Sequence, residues 1–266
     1  MLEDSKGKEL DVLSGSGIPD LSDVVWSPTE ENFAFAADVA DDKDDGRGLY
    51  AYSIKERKRR LIVSGSTLAP EWSADGRFLI CLKTSTPASE KLRDAVRRNH
   101  GTIIVLHAHS GFKPVLTAGK LAGYPTPSPT GTKIAFMELL QDEYGDFDNH
   151  SLQVTDIATG RIQKLLTNRR EPLYIWAGDN TVAATTYDKY AVPTLSLVSL
   201  PDGTERQLVT ARDFAGLEPL AYLSEQTRII YKAAERLSDI EAEELWAVEA
   251  GRQPLRLFPQ AGRGRS

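Results

Sequence analysis

The chain has 266 residues, 41% hydrophobic and 26% charged, with a formal net charge of −6. Its length supports one sizeable domain, and its composition is that of an ordinary globular protein. The acidic balance argues against a general nucleic-acid binder, whose phosphate contacts need a basic surface. A single cysteine, Cys81, excludes an intrachain disulfide and zinc sites built from several thiolates.

No stretch approaches the ~18 consecutive apolar residues of a membrane span, so no membrane insertion is expected. The opening Met1-Leu2-Glu3-Asp4-Ser5-Lys6 lacks the charged-then-apolar grammar of a signal peptide. A native and complete chain with this start is expected in the cytoplasm. A processed or trimmed one leaves a periplasmic or other extracytoplasmic site open.

In chain order, residues 8–15 (Lys8 to Gly15) read as a stray outer strand. A recurring unit then begins, aligned on Trp26, Trp72, Pro127, Trp176 and Leu223, with spacings of 46, 55, 49 and 47 residues. A small residue follows each anchor (Ser27, Ser73, Ser128, Ala177, Ser224), then a polar turn and a short apolar run. Those runs are Phe33-Ala34-Phe35, Phe78-Leu79-Ile80, Ile134-Ala135-Phe136, Val182-Ala183-Ala184 and Ile229-Ile230-Tyr231. Shortness and flanking turn residues make them strands.

A third strand is marked by Leu49-Tyr50, Ile103-Ile104, Leu152-Gln153, Leu195-Ser196 and Leu245-Trp246. Turns, three of them with a glycine (Gly111, Gly160, Gly203), lead to an outer strand at 60–62, 114–116, 164–166, 207–209 and 255–257. One such unit cannot bury its own faces, so copies must stack. The expectation is an all-β chain, a β-propeller of four-stranded antiparallel blades. Five repeats are visible, at about 21–66, 67–119, 120–168, 169–212 and 213–258. Residues 259–266 read as a disordered tail.

Trp26-Ser27-Pro28, Trp72-Ser73-Ala74-Asp75-Gly76 and Ser128-Pro129-Thr130-Gly131-Thr132-Lys133 resemble the repeat of TolB-like (WD-repeat-like) β-propellers, as does Val154 to Gly160. The resemblance covers about Leu21 to Phe258, and the last two repeats lack the Pro-x-Gly turn. It implies a ring that usually has six blades. The chain then reads as the C-terminal part of a larger ring, or as a five-bladed ring completed by the strand at 8–15. It also implies a binding scaffold, since TolB works through protein contacts at the cell envelope.

All long insertions fall between the second and third strands: 38–48, 84–101, 139–150, 185–194 and 234–244. Loops there decorate one end of the sheets, where binding residues tend to sit. They carry a net charge of −9, and the third-to-fourth-strand turns carry +7, mostly from Lys55-Glu56-Arg57-Lys58-Arg59-Arg60. A basic protein or peptide partner is therefore expected at the loop end. The contact residues proposed for it are Asp142, Glu143, Tyr144, Asp146, Phe147 and Asp148.

Ser89 to Gly101 reads as a short helix with Ser89 at its N-cap and Gly101 at its C-cap. Its Arg93, Arg97 and Arg98 are further contact candidates. Ser238-Asp239-Ile240-Glu241 has a capping-box pattern and reads as the start of a single helical turn.

Asp41, Asp42, Asp44 and Asp45 gather carboxylates beside Gly46, as calcium loops do, but lack the ligand alternation of an EF-hand. His107 and His109 fall where a strand enters its turn and read as turn residues. Val25, Glu71, Thr126, Ile175 and Tyr222, one before each anchor, should line an axial channel. Trp26, Trp72 and Trp176 read as core anchors.

No Gly-x-Ser-x-Gly elbow, P-loop or dinucleotide fingerprint is present, so no catalytic residue, metal or cofactor is assigned. A second reading makes the chain the propeller portion of a prolyl-oligopeptidase-like peptidase. A third, a propeller-fold sugar lyase, would need metal-binding side chains near the axis, and the four histidines supply no such cluster.

Overall fold

The computed structural model describes residues 2–3, 9–11, 22–38, 47–84, 100–140, 149–168, 173–211, 214–235 and 243–257. Nearly all of them lie in antiparallel strands joined by short turns. In the first four repeats the second strand is buried on both faces, which explains why it reads as an unbroken apolar run and not as an alternation. In the fifth, Ile229, Tyr231 and Ala233 are buried and Ile230 and Lys232 between them are half-buried. Phe33–Ala36, Leu79–Leu82, Ile134–Met137 and Val182–Ala184 are all buried. Each large side chain there contributes roughly 1.5–3 kcal/mol of burial.

Two short strands open the chain, β1 (Leu2–Glu3) and β2 (Glu9–Asp11), paired with each other. Of the stretch 8–15, where a stray outer strand is expected, only β2 is described. It joins none of the larger sheets formed by the described residues.

The first four-stranded sheet runs β3 (Ser22–Trp26), β4 (Asn32–Asp38), β5 (Arg47–Ser53), β6 (Lys58–Ser64) in sequence order. The second has β7 (Thr67–Trp72), β8 (Phe78–Lys83), β9 (His100–His107) and β10 (Lys113–Pro127). The third follows with β11 (Lys133–Leu140), β12 (Asn149–Asp156) and β13 (Ile162–Asn168).

The sequence treats the outer strand near 114–116 and the inner strand near 126 as separate. They are one strand, and β7 to β13 form a seven-stranded sheet. β10 pairs with β9 through Lys113–Ala118 and with β11 through Thr126 and Pro127, and at Ala122 and Gly123 it pairs with both. Between these stretches Gly119 adopts φ +68°, where an added Cβ would lie 2.7 Å from Ala122 Cβ, so the strand turns without breaking.

The fourth sheet has β14 (Leu173–Trp176), β15 (Thr181–Tyr187), β16 (Pro193–Ser199) and β17 (Glu205–Thr210). The fifth has β18 (Phe214–Leu223), β19 (Arg228–Glu235), β20 (Glu243–Glu249) and β21 (Leu255–Arg256).

The chain divides into two compact units, residues 1–139 with 154–163, and residues 140–153 with 164–266. In the first, the second sheet is packed on both faces. Leu79, Cys81 and Leu106 meet Ala34, Leu49 and Val63 of the first sheet. Ile80, Leu82, Ile103 and Val105 point the other way, toward Ile134 and Phe136. Cys81 is the core residue its apolar context indicates, and burial pushes its thiol up to about 12. In the second unit, Ala183 and Leu195 of the fourth sheet pack on Leu217, Ile229 and Tyr231 of the fifth.

The anchor column is only partly a core feature. Trp72 and Trp176 are each 8% exposed, but Trp26 is 53% exposed and Leu223 40%. The first sheet covers Trp72, whereas Trp26 leans on Phe33 of its own sheet at 5.1 Å between ring centroids. The small residue after the anchor has a definite task. Ser73 Oγ accepts from the Phe78 amide (2.9 Å) and donates to Asp75 (2.7 Å), and Ser128 Oγ accepts from Lys133 (3.2 Å).

Candidate functional site

Two surfaces of the first unit combine definite geometry with chemistry-bearing residues. One is formed by the inner strands. The residues expected to line a channel occupy one register position in every sheet: Val25 opposite Ala34, Glu71 opposite Ile80, Thr126 opposite Ala135, Ile175 opposite Ala183 and Tyr222 opposite Ile229. All five are half-buried. Val25, Glu71 and Thr126 belong to the first unit, and Ile175 and Tyr222 to the second.

In β3, β7 and β10 a β-bulge interrupts the ladder just before this position. At each bulge a non-glycine residue takes a left-handed conformation: Asp23 (φ 58°), Ala69 (φ 47°) and Tyr124 (φ 53°). Bulges of this kind re-aim side chains and commonly adjoin functional sites. No feature of composition marks them, and the sequence reading missed them. Their signal is positional, three residues before each of the first three anchors.

Burial pushes the Glu71 carboxyl up to about 7, out of the usual carboxylate range. Thr126 donates its hydroxyl to the Tyr124 carbonyl at 3.3 Å, inside the bulge.

The second surface lies where the turns of the first and second sheets come together. A cleft of about 520 Å³ opens there, walled by Asn32, Tyr52, Lys58, Arg59, Arg60 and Phe112 among others. Arg60 spans it: its guanidinium donates to the Gly111 carbonyl at 2.8 Å and lies 5.3 Å from the Phe112 ring centroid. Glu30 is occupied by the Asn32 side chain at 2.6 Å and by His109 at 3.3 Å. The expected turn geometry holds here, since Ala108–Ser110 form a single 3-10 turn closed by Gly111 at φ 77°.

The insertions sit where expected, between second and third strands, and only the 188–192 connection is fully described. Asp142, Glu143, Tyr144, Asp146, Phe147 and Asp148 lie outside the described residues, as do Arg93, Arg97 and Arg98. So do Asp41, Asp42, Asp44 and Asp45, the segment Ser238–Glu241 and the tail 259–266.

One detail of the second insertion is corrected. His100 and Gly101 do not end a helix but begin β9, where Gly101 fits because a Cβ would stand 2.6 Å from the Lys83 carbonyl oxygen. Among the described residues no group of three His, Cys, Asp or Glu is placed to hold a metal ion, and no helix is long and apolar enough to cross a membrane.

No family model and no curated protein matches the chain. Solved structures do. The chain is similar to the β-propeller domain of the Trilobed protease from Pyrococcus furiosus, a domain described as having an open velcro topology. The TM-score is 0.64 at 14% identity, over 94% of this chain and 74% of that one. It is also similar to the acylaminoacyl peptidase of Pyrococcus horikoshii (TM-score 0.60, 15% identity, 86% of this chain). A third similar structure is the oligogalacturonate lyase of Vibrio parahaemolyticus (TM-score 0.57, 11% identity, 93% of this chain, 68% of that one). The fold is that of a β-propeller. The chain spans 39% of the length of the acylaminoacyl peptidase, and at these identities the likeness concerns the fold alone.

Proposed function

We propose that this chain is a non-catalytic, TolB-like propeller scaffold that binds a protein or peptide partner through the loops between second and third strands. The observation that carries this reading is architectural. In every four-stranded meander these connections leave from one end of the sheet, opposite the short turns. A rigid sheet with a doubly buried central strand is a suitable platform for such loops. The acidic charge of the loops favours a basic partner, met first through electrostatic steering.

The test is co-precipitation of the partner by the full chain and by a variant carrying Asp142→Lys, Glu143→Lys, Asp146→Lys and Asp148→Lys. Loss of capture with unchanged circular dichroism supports the assignment. Undiminished capture overturns it.

A second reading draws on the coverage of the peptidase structures. The chain aligns over 86–91% of its own length with acylaminoacyl peptidase and prolyl endopeptidase chains, yet spans only 36–39% of theirs. In that reading the propeller serves a catalytic domain. An α/β-hydrolase domain encoded beside it would favour this role, and a gene without one would remove it.

A further inference from the structure

We propose that the turn-end cleft between the first and second sheets is a docking site for an acidic peptide segment. This surface is separate from the loops invoked above and does not depend on them.

The charge is concentrated in one place. Residues 55–60 hold five cations and one acid, and all six are exposed. Among the described residues Lys55, Arg57, Lys58 and Arg59 make no ion pair, so no described carboxylate competes for them. Lys58, Arg59 and Arg60 also wall a concavity of about 520 Å³, which distinguishes them from a basic stripe on a convex surface. A volume of this order suits a few peptide residues.

Arg60 supplies the fixed element. The Gly111 carbonyl takes one of its five N–H donors, and the Phe112 ring lies against the guanidinium. Held so, it loses little side-chain entropy when a carboxylate arrives, which is where a charge-assisted hydrogen bond gains most. The half-buried Phe112 ring gives the cleft an aromatic wall for the apolar parts of a peptide, with Tyr52 buried behind the floor.

The acids in the cleft discriminate between anionic classes. Glu30 and Glu56 sit among the cations. A nucleic acid brings a charge with every phosphate and would be repelled there. A peptide alternates carboxylates with neutral amides, and its N–H groups suit Glu56, Glu30 being already held by Asn32 and His109. A competing explanation is protective: β6 is the outer strand of its sheet, and basic residues keep such edges from pairing with other chains.

The experiment is fluorescence anisotropy of a fluorescein-labelled oligoglutamate peptide titrated with the full chain. Inorganic phosphate and a single-stranded oligodeoxynucleotide serve as competitors. The expected result is saturable binding that weakens about tenfold or more in Lys58→Glu/Arg59→Glu. That variant leaves the Arg60 anchor intact. A control, Lys164→Glu/Arg206→Glu, carries the same charge change on other outer strands, β13 and β17, and should bind as the parent does. Three results overturn the proposal: equal loss in both variants, tighter binding of the oligodeoxynucleotide than of the peptide, or no binding of the peptide by the parent chain. Aggregation of Lys58→Glu/Arg59→Glu in that last case would assign the cations to edge protection.

Discussion

The indole N–H of Trp72 donates to the backbone carbonyl of Val25 at 3.3 Å, tying the inner strand of the second sheet to that of the first. The same ring fills the core between the two sheets with Ala34, Leu49 and Leu79. Trp72→Ala therefore removes a buried aromatic and leaves a carbonyl without its donor. The expected loss is roughly 3–5 kcal/mol. Trp26→Ala, at the same repeat position but 53% exposed, should cost about 1 kcal/mol or less. Urea unfolding of the two variants measures the difference.

The serine after each anchor makes a graded prediction. Ser73 Oγ bonds both the Phe78 amide and Asp75. Against the upward push of partial burial, hydrogen bonds from Ser73 and Arg77 hold the Asp75 carboxyl below its usual range. Ser73→Ala should cost about 1–2 kcal/mol. Ser27 accepts only longer, exposed contacts from Thr29 and Glu30 at 3.4 and 3.2 Å, and Ser27→Ala should be close to neutral. Thermal unfolding of both variants tests the ordering.

Why one of these serines matters more than the other was not readable from the repeat, although the repeat itself was. Spacing and short apolar runs located the strands because a doubly buried strand leaves a continuous hydrophobic signature, as at Phe78 to Leu82. The merging of two strands into β10 was hidden, since Gly119 reads as a turn whether the chain breaks there or only bends. Trp26 misled for a similar reason. A tryptophan announces apolar area but not which sheet covers it. The candidate sites were least legible: the acidic loops declared themselves by charge, whereas the cleft at Arg60 joins Gly111, 51 residues away in sequence, and Phe112 beside it.

Glu71 gives a pH dependence of definite sign. Burial raises its carboxyl to about 7 in the folded chain, while the unfolded chain keeps the ordinary value. The folded state then holds the proton more tightly. The associated stability is fully present below about pH 4.5 and is lost as pH rises through about 7. Glu71→Gln should flatten this component between pH 5 and 8, a difference on the order of 1–3 kcal/mol. Denaturant midpoints of parent and variant at the two pH values decide it; parallel curves would mean that Glu71 titrates normally.

Ala69 holds φ 47° at the bulge of β7, a conformation that costs an L-residue about 1 kcal/mol. Ala69→Gly should remove that strain and raise the unfolding midpoint, by up to about 1 kcal/mol, less the added freedom of glycine in the unfolded chain. A lowered midpoint would show that the Cβ contributes more by packing than the backbone loses.

The contrast between Trp26 and Trp72 also makes the chain its own optical gauge. The half-exposed Trp26 emits to the red and yields readily to acrylamide, the enclosed Trp72 and Trp176 emit to the blue and resist, and the half-buried Trp246 emits between them. Any molecule settling on the outer flank of the first sheet would therefore shift the red component alone, and loosening of the inter-sheet core would shift the blue. One emission spectrum thus separates an event at the surface from one in the interior.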